Sequence, residues 1–143
     1  MSKVNVSRDG EIATLTLNNP GKLNAVNLRM WLQLAESMSV LSVDREVRCI
    51  VLRGAGNEAF AAGGDLEEFV TARATLEQAL HYHDQVAAAL HAIADCPHPT
   101  VALIQGACIG GGMEIAGVCD LRICGESARF GAPINRLGFS MYP

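Results

Sequence analysis

The stretch Gly106–Asp120, GACIGGGMEIAGVCD, sets three consecutive glycines, Gly110, Gly111 and Gly112, inside an apolar segment, with a lone carboxylate, Glu114, close behind. Glycine in the interior of a strand or helix weakens it by about 0.5–1 kcal/mol. A run of them therefore marks a place where another group must approach the backbone closely. The residues in front, TVALIQGAC (100–108), form a short β-branched apolar run that reads as a buried strand, and Gly112–Val118 reads as a short helix. At such a junction the first N–H groups of the helix have no partner within it, and the macrodipole adds positive potential. It is an anion site by construction. A nucleotide-phosphate loop is a weak alternative: there is no G-x-x-x-x-G-K, and GACIGGGMEIAG does not match G-x-G-x-x-G in register.

Working outward, strand and helix signals alternate. Glu11–Asn18 alternates as a strand, with Ala13, Leu15 and Leu17 on one face and Ile12, Thr14 and Thr16 on the other, and NNPG ends it. From Asn27, an N-cap, the positions Leu28, Trp31, Leu32, Ala35 and Met38 predict an amphipathic helix to about Leu41 that packs on the core. Val47–Gly54, VRCIVLRG, reads as a strand buried on both faces. A helix opens at Asp65, and another follows Thr75 and Gln78, a capping-box spacing, with Leu76, Leu80, Ala87, Leu90 and Ala94 as its apolar stripe until CPHP stops it. DLRIC and SARFGAP supply two last short strands. The alternation predicts an α/β fold with parallel pairings, in one domain over residues 1–143 without repeat or linker. Nothing caps or covers the final strand before GFSMYP, so a fragment of a longer domain is expected.

Composition narrows the function. Half of the 143 residues are hydrophobic and 18% are charged, enough apolar material for one ordinary core. The formal net charge is −4, and no Lys/Arg cluster interleaves with aromatics, which argues against nucleic acid as a partner. MSKVNVSRDG lacks an apolar signal core and no run approaches the roughly 20 residues that span a bilayer. A cytoplasmic protein without membrane partners is expected. Five cysteines, without a CxxC pair and mostly among apolar neighbours, predict buried free thiols. In HYH, His81 and His83 point about 200° apart on a helix, so no metal site is expected.

A second glycine-bearing loop, FAAGGDLEEF (60–69), also leads from extended chain into a helix, with Asp65 placed to cap it. Were the two loops to converge, one N–H from each would form an oxyanion hole, whose donors are worth about 10²–10³ in rate apiece.

Four segments carry a resemblance: LNNPGKLNAVN, VRCIVLRGAGNEAFAAGGDLEEF, PTVALIQGACIGGGMEIAGVCDLRIC and ARFGAPINRLGF. Together, in order and in register from about Glu11 onward, they resemble the enoyl-CoA hydratase/isomerase, or crotonase, family. The resemblance implies a spiral of ββα units, here truncated before its C-terminal helices, and a trimer or dimer of trimers at full length. It implies an acyl-CoA or enoyl-CoA substrate, with coenzyme A carried by the substrate and no further cofactor. It makes Ala62 and Gly111 the oxyanion-hole residues, with Gly112 letting the helix pack closely. Main-chain atoms of Ala62 through Asp65, Gly63 and Gly64 included, would receive the adenine end of CoA, residues around Lys22–Ala25, among them Leu23, would line the pantetheine path, and Ala61, Leu66 and Gly110 would also belong to the residues that bind the CoA thioester.

Glu114 stands where one of the family's two catalytic glutamates would stand; apart from the resemblance it reads as a first-turn acid complementing the dipole. Burial among Ile109, Met113 and Ile115 would raise its pKa while the helix terminus would lower it. The second glutamate of hydratases follows FGxP, and here that position is Ile134; Phe130, Gly131, Pro133 and Gly138 hold the register, and Asn135 is one position off. Hydration or double-bond isomerisation of an enoyl-CoA is the expected reaction. Decarboxylation, hydrolysis, carbon–carbon cleavage and a catalytically silent acyl-CoA-binding subunit stay open.

Overall fold

The computed structural model describes residues 2–137. A hairpin of β1 (Lys3–Asp9) and β2 (Ile12–Asn18) is followed by helix α1 (Leu28–Ser42), and then by a repeating unit in which a longer strand, a short strand and a helix succeed one another. The units are β3 (Cys49–Gly54), β4 (Ala59–Ala61) with α2 (Leu66–Ala72) and α3 (Leu76–Ala94); β5 (Thr100–Ile104), β6 (Ala107–Ile109) with α4 (Gly111–Val118); and β7 (Leu121–Cys124), β8 (Arg129–Gly131) with α5 (Ile134–Leu137). The longer strands form one sheet of order β1-β2-β3-β5-β7 and the short ones a second of order β4-β6-β8. Every pairing except the β1–β2 hairpin is parallel. The result is an α/β spiral of ββα units, and each turn of it delivers a strand-to-helix junction to the same end of the small sheet.

The core forms where the patterns predicted. Ala13, Leu15 and Leu17 of β2 are fully buried, and a fully buried Leu is worth about 1.5–3 kcal/mol. In α1, Asn27 caps the first turn by accepting from Met30 N at 3.0 Å, and Met30, Trp31, Leu34 and Met38 turn inward. The Thr75–Gln78 capping box is present in both directions, at 3.2 and 3.1 Å.

Several expectations change. Strand β1, absent from the periodicity reading, is a mostly exposed edge strand held by its ladder to β2 (Lys3 opposite Asn18), so it carries little apolar alternation. TVALIQGAC is not one strand: it divides at Gln105–Gly106, and its halves enter different sheets. Strand β3 buries only one face fully, with Ile50, Leu52 and Gly54 inward and Cys49, Val51 and Arg53 half-buried. Helix α3 is rotated from the expected stripe. It buries Tyr82, Ala89 and Ile93 and leaves Leu76 78% and Leu80 56% exposed, because its alanine-rich second half is apolar nearly all round and α1 selects the face. Among the cysteines, all free, Cys108 and Cys119 are buried while Cys124 is exposed; burial pushes the Cys108 thiol up to about 11. His81 and His83 are exposed, and no group of three potential metal ligands exists among the described residues. No helix among them is long and apolar enough to cross a membrane. The register residue Gly138 and the GFSMYP terminus lie outside the described residues.

Candidate functional site

The loops do converge. The segment after β2 folds against the loop after β4 as a short parallel ladder: Ala62 N donates to Leu23 O (3.0 Å), Val26 N to Gly63 O (2.8 Å) and Asp65 N to Val26 O (3.0 Å). Asn24, only 5% exposed, anchors this segment from below. Its amide donates to Ala59 O at 2.8 Å and Ala55 O at 2.9 Å, and its carbonyl accepts from Asn19 N at 3.2 Å. The segment reaches the ladder through left-handed backbone at Leu23 (φ 49°) and Asn24 (φ 57°). For leucine that is strained, and such strain persists only where surrounding bonds dictate it.

Lys22 joins the two loops by charge. Its Nζ lies 2.8 Å from Asp65 Oδ2 and 2.8 Å from Glu67 Oε2, and hydrogen bonding to Asp65, then to Glu67, raises its pKa above the usual lysine value. Asp65 does occupy the N-cap position of α2, but its carboxylate makes no capping bond, because Lys22 takes both oxygens. Lys22, Leu23, Ala25 and the Ala62–Asp65 strip are thus side by side. Leu66 opens α2 and is half-exposed beside them, whereas Ala61 is fully buried in β4.

The third component is the start of α4. Gly110, at φ 48° and ψ −114°, turns the chain out of β6, and its N–H is pinned to Gly131 O at 2.9 Å. Any Cβ on Gly112 would run into the carbonyl of Ala61; the absent side chain lets α4 lie against β4. Gly111 is the first helical residue. A Cβ there would sit 3.6 Å from the Gly64 nitrogen and 3.3 Å from Trp31 Cζ2. The N–H groups of Gly64 and Gly111 have no hydrogen-bond partner among the described residues.

This corrects one of the expected donors. The Ala62 N–H is consumed by Leu23 O, and a backbone N–H has one hydrogen to give. The unpartnered N–H beside Gly111 is that of Gly64, two residues on. Only the long-range pairing reveals it, although the Val26–Gly64 bridge falls where both segments carry glycine or β-branched residues.

Glu114 is also not where burial would put it. On α4 the inward face is Gly112, Ile115 and Ala116, so Glu114, together with the 36%-exposed Met113, faces away from the core. It remains one turn from Gly111, with its N–H bonded to Gly110 O at 3.0 Å. Ile134 is the first residue of α5 and half-buried, Asn135 is exposed, and both follow closely on Gly131, whose carbonyl holds Gly110. The glycine run, Glu114 and the Ile134 position therefore share one end of the small sheet.

The family model for enoyl-CoA hydratase/isomerase matches residues 7–142. The chain belongs to the enoyl-CoA hydratase/isomerase family. It is 35% identical over 127 residues to YngF of Bacillus subtilis, which carries the same family description, covering 88% of this chain and 48% of that protein. It is 32% identical over 142 residues to the short-chain-enoyl-CoA hydratase of Clostridium acetobutylicum, covering 98% and 53%. A crystal structure of an enoyl-CoA hydratase/carnithine racemase from Magnetospirillum magneticum superposes with a TM-score of 0.94 at 46% identity, over 98% of this chain and 52% of that one. The chain spans about half the length of the curated relatives it matches. Its ββα spiral matches about half of the fold seen in that hydratase/racemase structure.

Proposed function

We propose that the intact protein binds an acyl-CoA thioester and stabilises its enolate by donating hydrogen bonds to the thioester oxygen from the N–H groups of Gly64 and Gly111. The observation that carries this reading is the adjacency of two unpartnered backbone donors, one of them at a helix N-terminus. Donors fixed before the reaction stabilise the charge that develops on the oxygen without reorganising. The strip Lys22–Ala25 and Ala62–Leu66 then forms the surface along which CoA lies, with Lys22 already held by Asp65.

Glu114 serves as the acid/base, one helical turn from the oxyanion. In isomerisation it takes a proton from C2 of a 3-enoyl-CoA, leaving the dienolate oxygen between the two N–H groups, and returns the proton at C4. Hydration of a 2-enoyl-CoA asks more, because one group must deprotonate water while another delivers a proton to Cα. Ile134 can do neither. Isomerisation and α-proton exchange should therefore outrun hydration; steady-state rates on a 3-enoyl-CoA and on crotonyl-CoA compare them directly. Hydration faster than isomerisation would reject this assignment of roles.

The reading to test it against is a catalytically silent acyl-CoA-binding subunit. Incubation of an acyl-CoA in D₂O separates the two. Deuterium enters Cα in the natural protein and not in Glu114→Gln if Glu114 exchanges the proton; binding without exchange in either protein supports the silent subunit.

A further inference from the structure

Behind the Gly64–Gly111 junction stands a wall of aromatic side chains. Gly111 abuts Trp31, and a Cβ on Gly64 would press on the rim of Phe69, 2.9 Å from Cζ. Phe69 and Tyr82 meet edge to face, with ring centroids 5.6 Å apart and planes at 80°. The guanidinium of Arg73, at the C-terminal end of α2, lies in the crook between them, 4.1 Å from each ring centroid. A single ring separates this cation from Gly64.

Two donors here are buried and unused. Arg73 Nε and the Tyr82 hydroxyl proton have no acceptor among the described residues, while the Trp31 indole approaches the Tyr82 oxygen as a donor, and Tyr82 is only 1% exposed. No carboxylate pairs with Arg73 among them; the ion pairs involve Arg8, Lys22 and Arg48. Glu68 gives a carboxylate oxygen to Leu28 N at 2.7 Å. Burial first, and the charge of Glu68 second, push the Tyr82 hydroxyl up to about 12, so its proton stays in place as a donor. Native proteins seldom bury polar groups unsatisfied, and a phenol beside a guanidinium, each with an unused donor, describes a site for an anionic acceptor.

We infer that Phe69, Arg73 and Tyr82 form the distal wall of the acyl pocket and bind a carboxylate at the far end of the acyl chain, making the substrate a monothioester of a dicarboxylic acid. The inference rests on the thioester reading above. A carboxylate accepts from the guanidinium and the phenol together, whereas a methyl end leaves both unpaired, and buried donors left unpaired discriminate strongly.

The test uses the intact protein and two 3-enoyl-CoA thioesters of equal chain length, one ending in methyl and one in carboxylate, with kcat/KM for isomerisation and binding measured for both. The carboxylate-ended thioester is expected to be preferred by about 10²-fold, mainly through KM, and Arg73→Met to lower that ratio by a similar factor, with Arg73→Lys restoring part of it. Tyr82→Phe, which keeps the ring, should lower the ratio by about tenfold. Equal kcat/KM for the two thioesters, or a ratio unmoved in both folded Arg73→Met and Tyr82→Phe, overturns the inference while leaving the thioester reading intact. A protein that binds neither thioester nor free CoA overturns the thioester reading, and this inference with it.

Discussion

Two strand-to-helix junctions face each other in this molecule, and they expose a donor by different means. After β4 the chain takes four residues, Ala62 to Asp65, to reach α2, and a neighbouring segment zips onto them, consuming the N–H groups of Ala62 and Asp65 and leaving those of Gly63 and Gly64, the latter beside Gly111. After β6 a single residue, Gly110, makes the turn into α4, pinned through its own N–H to Gly131, and the next N–H is left over because a helix cannot satisfy its first turn. The first junction is selective through tertiary pairing and the second through helix geometry alone. A donor of the second kind is readable from a glycine run before a helix; one of the first kind is not.

The sharpest way to break this comparison is to delete one donor without disturbing the fold. Gly111 occupies the first helical position, where proline is tolerated because its missing N–H had no partner within the helix. Gly111→Pro is expected to fold and to lose about 10²–10³ in kcat, roughly 3–4 kcal/mol, whereas Gly111→Ala, which keeps the N–H and adds a methyl 3.3 Å from Trp31 Cζ2, loses far less. Equal loss in both variants would assign the effect to crowding.

Next come the contacts that hold each junction in place. Gly112→Ala drives a methyl into the Ala61 carbonyl and should cost about 1–3 kcal/mol of stability through overpacking. Asn24→Ala removes the donor to Ala59 O and Ala55 O and should cost a similar amount, about 1–3 kcal/mol. Denaturant midpoints measure both. The comparison predicts that Asn24→Ala, acting on the zipped junction, also raises KM for the thioester.

The glycine turn into α4 was legible in the sequence. Asn27, Thr75 with Gln78, and the β2 alternation were readable because each signal is local: a cap or a period needs only neighbouring residues. The face of α3, the split of TVALIQGAC and the exposure of Glu114 were not, since each depends on which element arrives alongside. Ala62 illustrates the limit best, because its partner, Leu23, is a residue in another loop whose backbone must first adopt left-handed geometry.

The smallest expected effect concerns Lys22. Its folded pKa lies above the ordinary value of 10.5, so its ion pair with Asp65 stabilises fully below that pH and is lost as pH rises through the folded value. Lys22→Met should flatten the loss of stability on the alkaline side and leave neutral pH little changed, as such a pair at the surface contributes modestly. A thermal-melting series against pH reads it.

The account stands most directly on the Gly64 and Gly111 donors, and the carbonyl stretch of a thioester bound to the intact protein, labelled with ¹³C at C1 and followed by difference infrared spectroscopy, reports on them alone. The band should fall to lower frequency on binding to the natural protein and return most of the way toward its free value in Gly111→Pro. A bound thioester whose band is the same in solution, in the natural protein and in Gly111→Pro would contradict the assignment.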